Sequence, residues 1–203
     1  AYPTNRFYKL NSAKPLGVVW HYSCPLWMGF KTSEEVSKCI TRDADGASWH
    51  IFIARDGSVF QSVSFEKGSW HVGKPGTIAG QKFENINRAT IGIELENAGR
   101  LKPDKSKYYT WPYYKTGTKE INPKLEIPTD RATKFPGDGT FDSFTDAQIE
   151  SATKLVEVLQ RTYQIGKENF TYGHVDFDPE RKEDPGPLWK HIHLPKILTS
   201  IFG

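Results

Sequence analysis

The sequence predicts an α/β fold: one domain of 203 residues with a central mixed β-sheet of about five or six strands and helices on both faces. Three observations point there. Five short stretches carry strand patterns, one long segment has amphipathic helical spacing, and strands precede helices along the chain. Hydrophobic residues make up 37% and aromatics 13% of the chain, enough to bury a core in a chain of this length.

The elements follow in order. Residues 16–21 form an apolar run, Leu16-Gly17-Val18-Val19-Trp20, that closes on His21. A short helix is expected over residues 33–41. Residues 48–54 and 58–63 read as strands, and Arg55-Asp56-Gly57 between them supplies the Asp and Gly of a hairpin turn. In residues 90–96, Ile91, Ile93 and Leu95 alternate with Gly92, Glu94 and Glu96. That period of two sets both carboxylates on the face opposite the aliphatics. Residues 145–164 form the clearest helix: Thr145 with Gln148 makes a capping box, and Ile149, Ala152, Val156, Leu159 and Tyr163 recur at three-to-four spacing. A fifth strand is expected at 170–174, and the apolar tail 195–202 suits a docked last helix.

The segment from about 98 to 140 stands apart as an insertion. It holds Pro103, Pro112, Pro123, Pro128 and Pro136, many lysines, and the aromatic group Tyr108, Tyr109, Trp111, Tyr113 and Tyr114. A connection of this length without periodicity is functional or disordered.

Charge and cysteine content exclude several classes. Lys and Arg number 27 against 24 acidic residues, a net charge of +3. The basic residues do not cluster, so no nucleic-acid partner is expected. The apolar stretches are too short to span a bilayer, so no membrane insertion is expected. The start Ala1-Tyr2-Pro3-Thr4-Asn5 shows no signal peptide. Cys24 and Cys39 lack the close partner spacing of a thiolate metal site and read as two thiols or one disulfide. A monomer is expected.

Chemistry concentrates in one run, Gly173-His174-Val175-Asp176-Phe177-Asp178-Pro179-Glu180-Arg181-Lys182-Glu183-Asp184-Pro185-Gly186, taken with His21. Two histidines and one carboxylate with a fourth position open make a catalytic rather than structural zinc site. Each residue also has a plainer reading. A lone histidine closing a buried strand is commonly a hydrogen-bonded core residue, and the ten-residue step from His174 to Asp184 fixes no geometry by itself. His191-Ile192-His193 is a rival pair that reads as a surface turn. Lys182 is either a solvated cation or a fixed charge that stabilises an oxyanion. Glu94 is either a solvated carboxylate or, beside a metal-bound water, its general base. Pattern alone does not separate Glu94 from Glu96.

Together these pieces resemble the zinc-dependent N-acetylmuramoyl-L-alanine amidases of the type-2 amidase and peptidoglycan-recognition-protein superfamily. The matching stretches are Val18-Val19-Trp20-His21, Trp49-His50-Ile51-Phe52-Ile53-Ala54-Arg55-Asp56-Gly57, Ser69-Trp70-His71-Val72-Gly73, Asn87 with Thr90-Ile91-Gly92-Ile93-Glu94-Leu95-Glu96, Phe144-Thr145-Asp146-Ala147-Gln148, and the run ending at Gly186. The Glu180-Arg181-Lys182-Glu183-Asp184-Pro185-Gly186 form is particularly similar to the cytosolic anhydro-muropeptide amidases, and phage lysins share much of the pattern. The resemblance implies one Zn²⁺ held by His21, His174 and Asp184, with Glu94 as base and Lys182 as oxyanion partner. It implies that Trp49, His50, Trp70, His71 and Asn87 line the substrate groove. Trp49 stands where many relatives have tyrosine, so no phenolic hydroxyl is available there. The insertion has no matching counterpart.

The expected activity is hydrolysis of the amide between N-acetylmuramic acid and L-alanine in peptidoglycan or muropeptides. The expected place of action is the bacterial cell wall, reached by secretion, in the periplasm, or by release from the host cytoplasm in the case of a phage lysin. Two alternatives remain open at this point: a non-catalytic peptidoglycan-recognition module, and a zinc amidase acting on another polymer or small amide. Stacking of sugar rings on the aromatic residues of the insertion is a further expectation.

Overall fold

The structure, a computed structural model, describes residues 6–23, 46–110, 115–116, 119–120 and 125–203. The predicted helix at 33–41, both cysteines and Trp111, Tyr113 and Tyr114 lie outside the described residues. In chain order the strands are β1 (Phe7–Lys9), β2 (Gly17–Tyr22), β3 (Ile51–Ile53), β4 (Val59–Gln61), β5 (Lys67–Ser69), β6 (Gly76–Ile78), β7 (Gln81–Phe83) and β8 (Thr90–Leu95). They continue with β9 (Arg100–Asp104), β10 (Lys107–Thr110), β11 (Lys115–Thr116), β12 (Lys119–Glu120), β13 (Glu126–Ile127), β14 (Ala132–Phe135), β15 (Gly139–Asp142) and β16 (Tyr172–Gly173). The helices are α1 (Asp146–Tyr163), α2 (Gly186–Leu188) and α3 (Leu194–Phe202), the last two joined by a π turn at Trp189–His193. No helix among the described residues is long and apolar enough to cross a membrane.

Five strands in the order β16-β2-β8-β3-β4 form the central sheet. β2 runs parallel to β16 and β8, β8 runs parallel to β3, and β3 pairs antiparallel with β4. The sheet is mixed, as expected. Strands β3 and β4 are shorter than the sequence patterns: the Ser48 amide donates to the Trp70 carbonyl, and the Ala54 amide closes on the Ser58 carbonyl at the turn.

Alternation divides the sheet into two faces. Val18 and Trp20 of β2, Ile51 and Ile53 of β3, and Ile91, Ile93 and Leu95 of β8 share one buried cluster with Ala152, Val156 and Leu159 of α1 and Ile197 and Leu198 of α3. Each aliphatic side chain buried there contributes about 1.5–3 kcal/mol. Trp20 is fully buried and its indole donates to the Phe170 carbonyl at 2.8 Å, so its polar atom costs nothing inside. On the other face, Val19 packs with Val72, Ile78 and Ile86 from the chain between β5 and β8. Among the described residues that second face is covered by this irregular chain and the β6–β7 hairpin.

Helix α1 begins as its capping residues dictate. The Thr145 hydroxyl accepts from the Gln148 amide, and the Gln148 side chain accepts from the Thr145 amide, both at 3.1 Å. Gln148 also donates through Nε2 to the Glu96 carbonyl at 2.9 Å and the Ile53 carbonyl at 3.3 Å. One buried amide therefore closes the helix and ties it to the ends of β3 and β8.

The insertion departs from expectation. Its outer parts form a second, antiparallel sheet of five strands, β13-β10-β9-β15-β14. One side of this sheet packs Ala98, Leu101 and Ile127 with Tyr108 and Ala132 against them, and Phe141 and Phe135 of the other side reach the main core. Lys102, Lys107 and Lys134 stay exposed and hide a strand pattern in the sequence. Asp142, fully buried, anchors the sheet by accepting from Arg131 at 2.6 and 2.9 Å, from the Ala98 amide at 2.9 Å and from Arg55 at 3.4 Å.

Candidate metal centre

His21 lies on β2 with its side chain on the face away from α1 and α3. Parallel register sets it directly beside Glu94 of β8, and Glu94 in turn beside Phe52 of β3. Neighbouring residues in register project to the same side, so Glu94 and His21 share a face. Glu96 does not join them: it follows β8, and its carboxylate accepts from the Arg55 amide at 3.0 Å. Register thus separates the two carboxylates that pattern could not.

His174 follows β16 and opens a 3₁₀ turn, His174–Asp176, whose first amide, that of Gly173, donates to Asp176 at 2.7 Å. The Val175 amide donates to the Asp184 carbonyl at 3.1 Å and the Lys182 amide to the Asp178 carbonyl at 2.9 Å. These bonds fold the ten-residue connection back, so His174 and Asp184 meet under His21.

Among the described residues, His21, His174 and Asp184 form the one buried group whose ligand atoms could hold a metal ion, all within 4.8 Å of one another. His21 Nδ1 is 2.9 Å and His174 Nδ1 3.3 Å from Asp184 Oδ2. The rival pair gains no third ligand. His193 is half-buried against Phe144 and Trp189, and His191 lies beside Phe135.

The hydrogen-bond chain behind His21 tests whether these residues suit a cation. The Thr90 hydroxyl donates its one proton to the Ile86 carbonyl at 2.8 Å, so toward His71 Nε2, 3.2 Å away, it can only accept. His71 Nε2 therefore carries the proton and Nδ1 the lone pair. That lone pair accepts from His21 Nε2 at 3.0 Å. His21 Nδ1 is then a lone pair facing the Asp184 carboxylate, and two acceptors at 2.9 Å repel unless a cation joins them. His174 Nε2, buried, has no hydrogen-bond partner among the described residues. Two neutral imidazoles and a carboxylate are a donor set zinc takes in sites that keep a position open.

Protonation states agree. Burial pushes His21 down to about 4 against the opposing pull of the Asp184 carboxylate, with the charges of His174 and Lys182 adding to the fall. Burial, then the neighbouring histidines, hold His71 well below its ordinary value. Burial would raise the Asp184 carboxyl, but the adjoining His174 and His21 hold it well below the usual carboxylate range. Neutral imidazoles and an ionised carboxylate are the forms that ligate metal at pH 7.

The other expected site residues take varied places. Lys182 is partly buried two residues before Asp184. Of the five expected groove residues only Trp70 is exposed, at 37%, with its ring 5.5 Å from Tyr8. Trp49, His50, His71 and Asn87 are buried. His50 accepts at Nδ1 from the Gly92 amide (2.9 Å) and donates from Nε2 to the Lys67 carbonyl (2.7 Å), and burial pushes it down to about 4. Asn87 accepts through Oδ1 from the Val72 and Gly73 amides at 2.8 and 3.2 Å, which fixes the loop carrying Trp70 and His71.

Sequence reasoning passed over Thr90 and Gly92. A Cβ at Gly92 would lie 2.6 Å from His71 Cγ, so only glycine lets His71 lie over the sheet. A glycine inside an otherwise alternating strand is the signal for such close approach.

Residues 11–187 match the family described as N-acetylmuramoyl-L-alanine amidase. The chain is 32% identical over 150 residues to the 1,6-anhydro-N-acetylmuramyl-L-alanine amidase AmpD of Enterobacter cloacae, covering 73% of this chain and 55% of that protein. It thus spans about half the length of such curated relatives. A crystal structure of a selenomethionine AmpD derivative superposes with a TM-score of 0.61 at 23% identity, covering 96% of this chain and 91% of that one. The amidase AmiD from E. coli, in complex with the substrate anhydro-N-acetylmuramic acid-L-Ala-D-gamma-Glu-L-Lys, superposes at 0.55 and 23% identity, covering 92% and 59%. At these identities the superpositions show the fold.

Proposed function

This chain belongs to the N-acetylmuramoyl-L-alanine amidase family, and on that premise we propose that it is a zinc-dependent amidase cleaving the bond between N-acetylmuramic acid and L-alanine. The observation that carries the reading is the His21 lone pair set against Asp184, beside His174 and in register with Glu94. AmiD of E. coli is described with a muropeptide of this class, and the substrate proposed here is peptidoglycan or its muropeptides.

His21, His174 and Asp184 would hold the zinc ion. When bound, zinc supplies Lewis acidity that polarises the scissile carbonyl and makes a bound water acidic near neutral pH. Glu94 takes the proton of the attacking water and returns it to the leaving amine of L-alanine. Lys182 holds the negative charge that develops on the carbonyl oxygen. Trp70 offers a flat exposed face to a sugar ring. Trp49, His50 and Asn87 act from behind, holding the strand ends and the Trp70 loop. His71 fixes the ring nitrogen that His21 turns to the metal.

Digestion of intact sacculi and of soluble anhydro-muropeptides, read by mass spectrometry, tests this. Release of stem peptides with a free L-alanine amino terminus is expected, and chelator should abolish it. Cleavage at any other bond sinks the assignment. Chelator-insensitive wall binding without cleavage would instead mark a recognition module.

A further inference from the structure

The second sheet and the metal loop meet at Glu183, the residue between Lys182 and Asp184. Arg100 of β9 donates through Nε to one Glu183 oxygen at 2.9 Å. The Tyr22 hydroxyl donates to the other at 3.0 Å. Tyr22 follows His21 directly on β2, so both oxygens of Glu183 are taken by groups from two different sheets.

Arg100 is itself held on every side. Its NH2 donates to Asp138 Oδ1 at 2.7 Å, its NH1 to the Asp138 carbonyl, and its guanidinium lies over the Phe141 ring, 4.6 Å from the centroid. Phe141 is the register partner of Arg100 on β15 and belongs to the main core. Tyr22 is seated just as closely. Gly99, at φ +69°, leaves a space into which any Cβ would strike the Tyr22 ring at 2.4 Å, and Gly186 receives the ring's other edge at 3.5 Å. The residues that open the insertion, Gly99 and Arg100, thus grip Tyr22 and Glu183, the neighbours in sequence of His21 and Asp184.

We infer that Arg100, Tyr22 and Glu183 form a clamp through which the inserted sheet positions Asp184 and Lys182. Arg100 is a positioning residue: it acts on the ligand through Glu183 and touches no reacting atom. The inference rests on the zinc reading above. Arg100 and Glu183 side chains are 28% and 24% exposed, so water weakens their attraction and little global stability is expected from the pair. Geometry is where its effect lies, because groups that orient a ligand change metal affinity by about 10–100-fold when removed.

The test compares the full chain with Arg100→Gln, Glu183→Gln, Tyr22→Phe and the double variant R100Q/E183Q. Zinc affinity is measured by competition with a chromogenic chelator, and folding by thermal melting. The parent is expected to bind one zinc. Arg100→Gln and Glu183→Gln are each expected to weaken zinc about tenfold, with melting temperatures within a few degrees of the parent. Tyr22→Phe should weaken it less, and the double variant no more than the worse single one, because the two residues act as a unit. Arg100→Lys should recover only part of the affinity, since an ammonium cannot bridge Asp138 and Glu183 as a fork does. A parent that binds zinc while all variants bind it within twofold overturns the clamp alone. A parent that binds no zinc overturns the metal reading and the clamp with it.

Discussion

His71 Nδ1 lies 3.0 Å from His21 Nε2, at the end of a hydrogen-bonded line that starts at the Ile86 carbonyl and passes through Thr90. The carbonyl of the first residue of the 3₁₀ turn Ile86–Arg88 therefore decides which nitrogen His21 turns toward Asp184. Sequence motifs record the ligand and its acceptor, while the direction of the protons comes only from their contacts.

Gly92→Ala should break this line without touching a ligand. The added methyl would press on His71 at 2.6 Å, and over-filling a packed site costs about 1–3 kcal/mol. Zinc affinity should fall about tenfold or more, read by chelator competition, with a measurable loss in urea stability. A variant with unchanged zinc affinity would show that His71 does not hold the His21 tautomer.

Glu94→Gln keeps the shape of the side chain and removes the base. Hydrolysis should drop by about 10²–10⁴-fold while stoichiometric zinc remains bound. Full muropeptide turnover by the zinc-loaded variant would exclude Glu94 as the base.

Lys182→Met should lower kcat by about 10²–10³-fold with KM little changed, because its charge acts on an oxyanion that exists only in the transition state. An equal effect spread into KM would place Lys182 in substrate binding instead.

His50 makes a pH prediction. Its pKa falls from 6.5 to about 4 on folding, chiefly through burial. The unfolded chain therefore binds the extra proton between those values, and stability is lost as pH falls through that window. One such group contributes about 3 kcal/mol across it. Unfolding free energies from urea titrations at pH 7 and pH 4.5 should differ less in His50→Asn than in the parent. Equal differences would mean that His50 is already charged when folded.

Gln148→Ala should cost about 1–3 kcal/mol, since it removes the side-chain half of the α1 capping box and strands the buried Glu96 carbonyl. Thermal melting checks this. A loss near half a kilocalorie, typical of an exposed position, would mean that water replaces the amide.

Much of the fold was legible because its signals are local. The capping box at Thr145 and Gln148 placed α1 within a residue at each end, and alternation along Ile91, Ile93 and Leu95 marked the inward face of β8. The meeting of His21, His174 and Asp184 was legible from ordered motifs. The strands of the insertion were not: in Arg100-Leu101-Lys102-Pro103-Asp104 only Leu101 is buried, so no alternation of polarity survives. The inward places of His50 and Asn87 were also hidden, because a polar residue satisfied by backbone groups looks in sequence like one that meets a ligand.

The two faces of the central sheet bear on how such a chain can change over generations. Val18, Trp20, Ile91 and Ile93 answer to the helices, while Val19, His21, Gly92 and Glu94 answer to the opposite side. Alternate positions along a single strand therefore meet separate packing demands. Changes in the helix-facing set act on how long the protein survives heat or proteolysis, whereas changes in the other set act on the side that carries His21 and Glu94, and at Gly92 on packing as well.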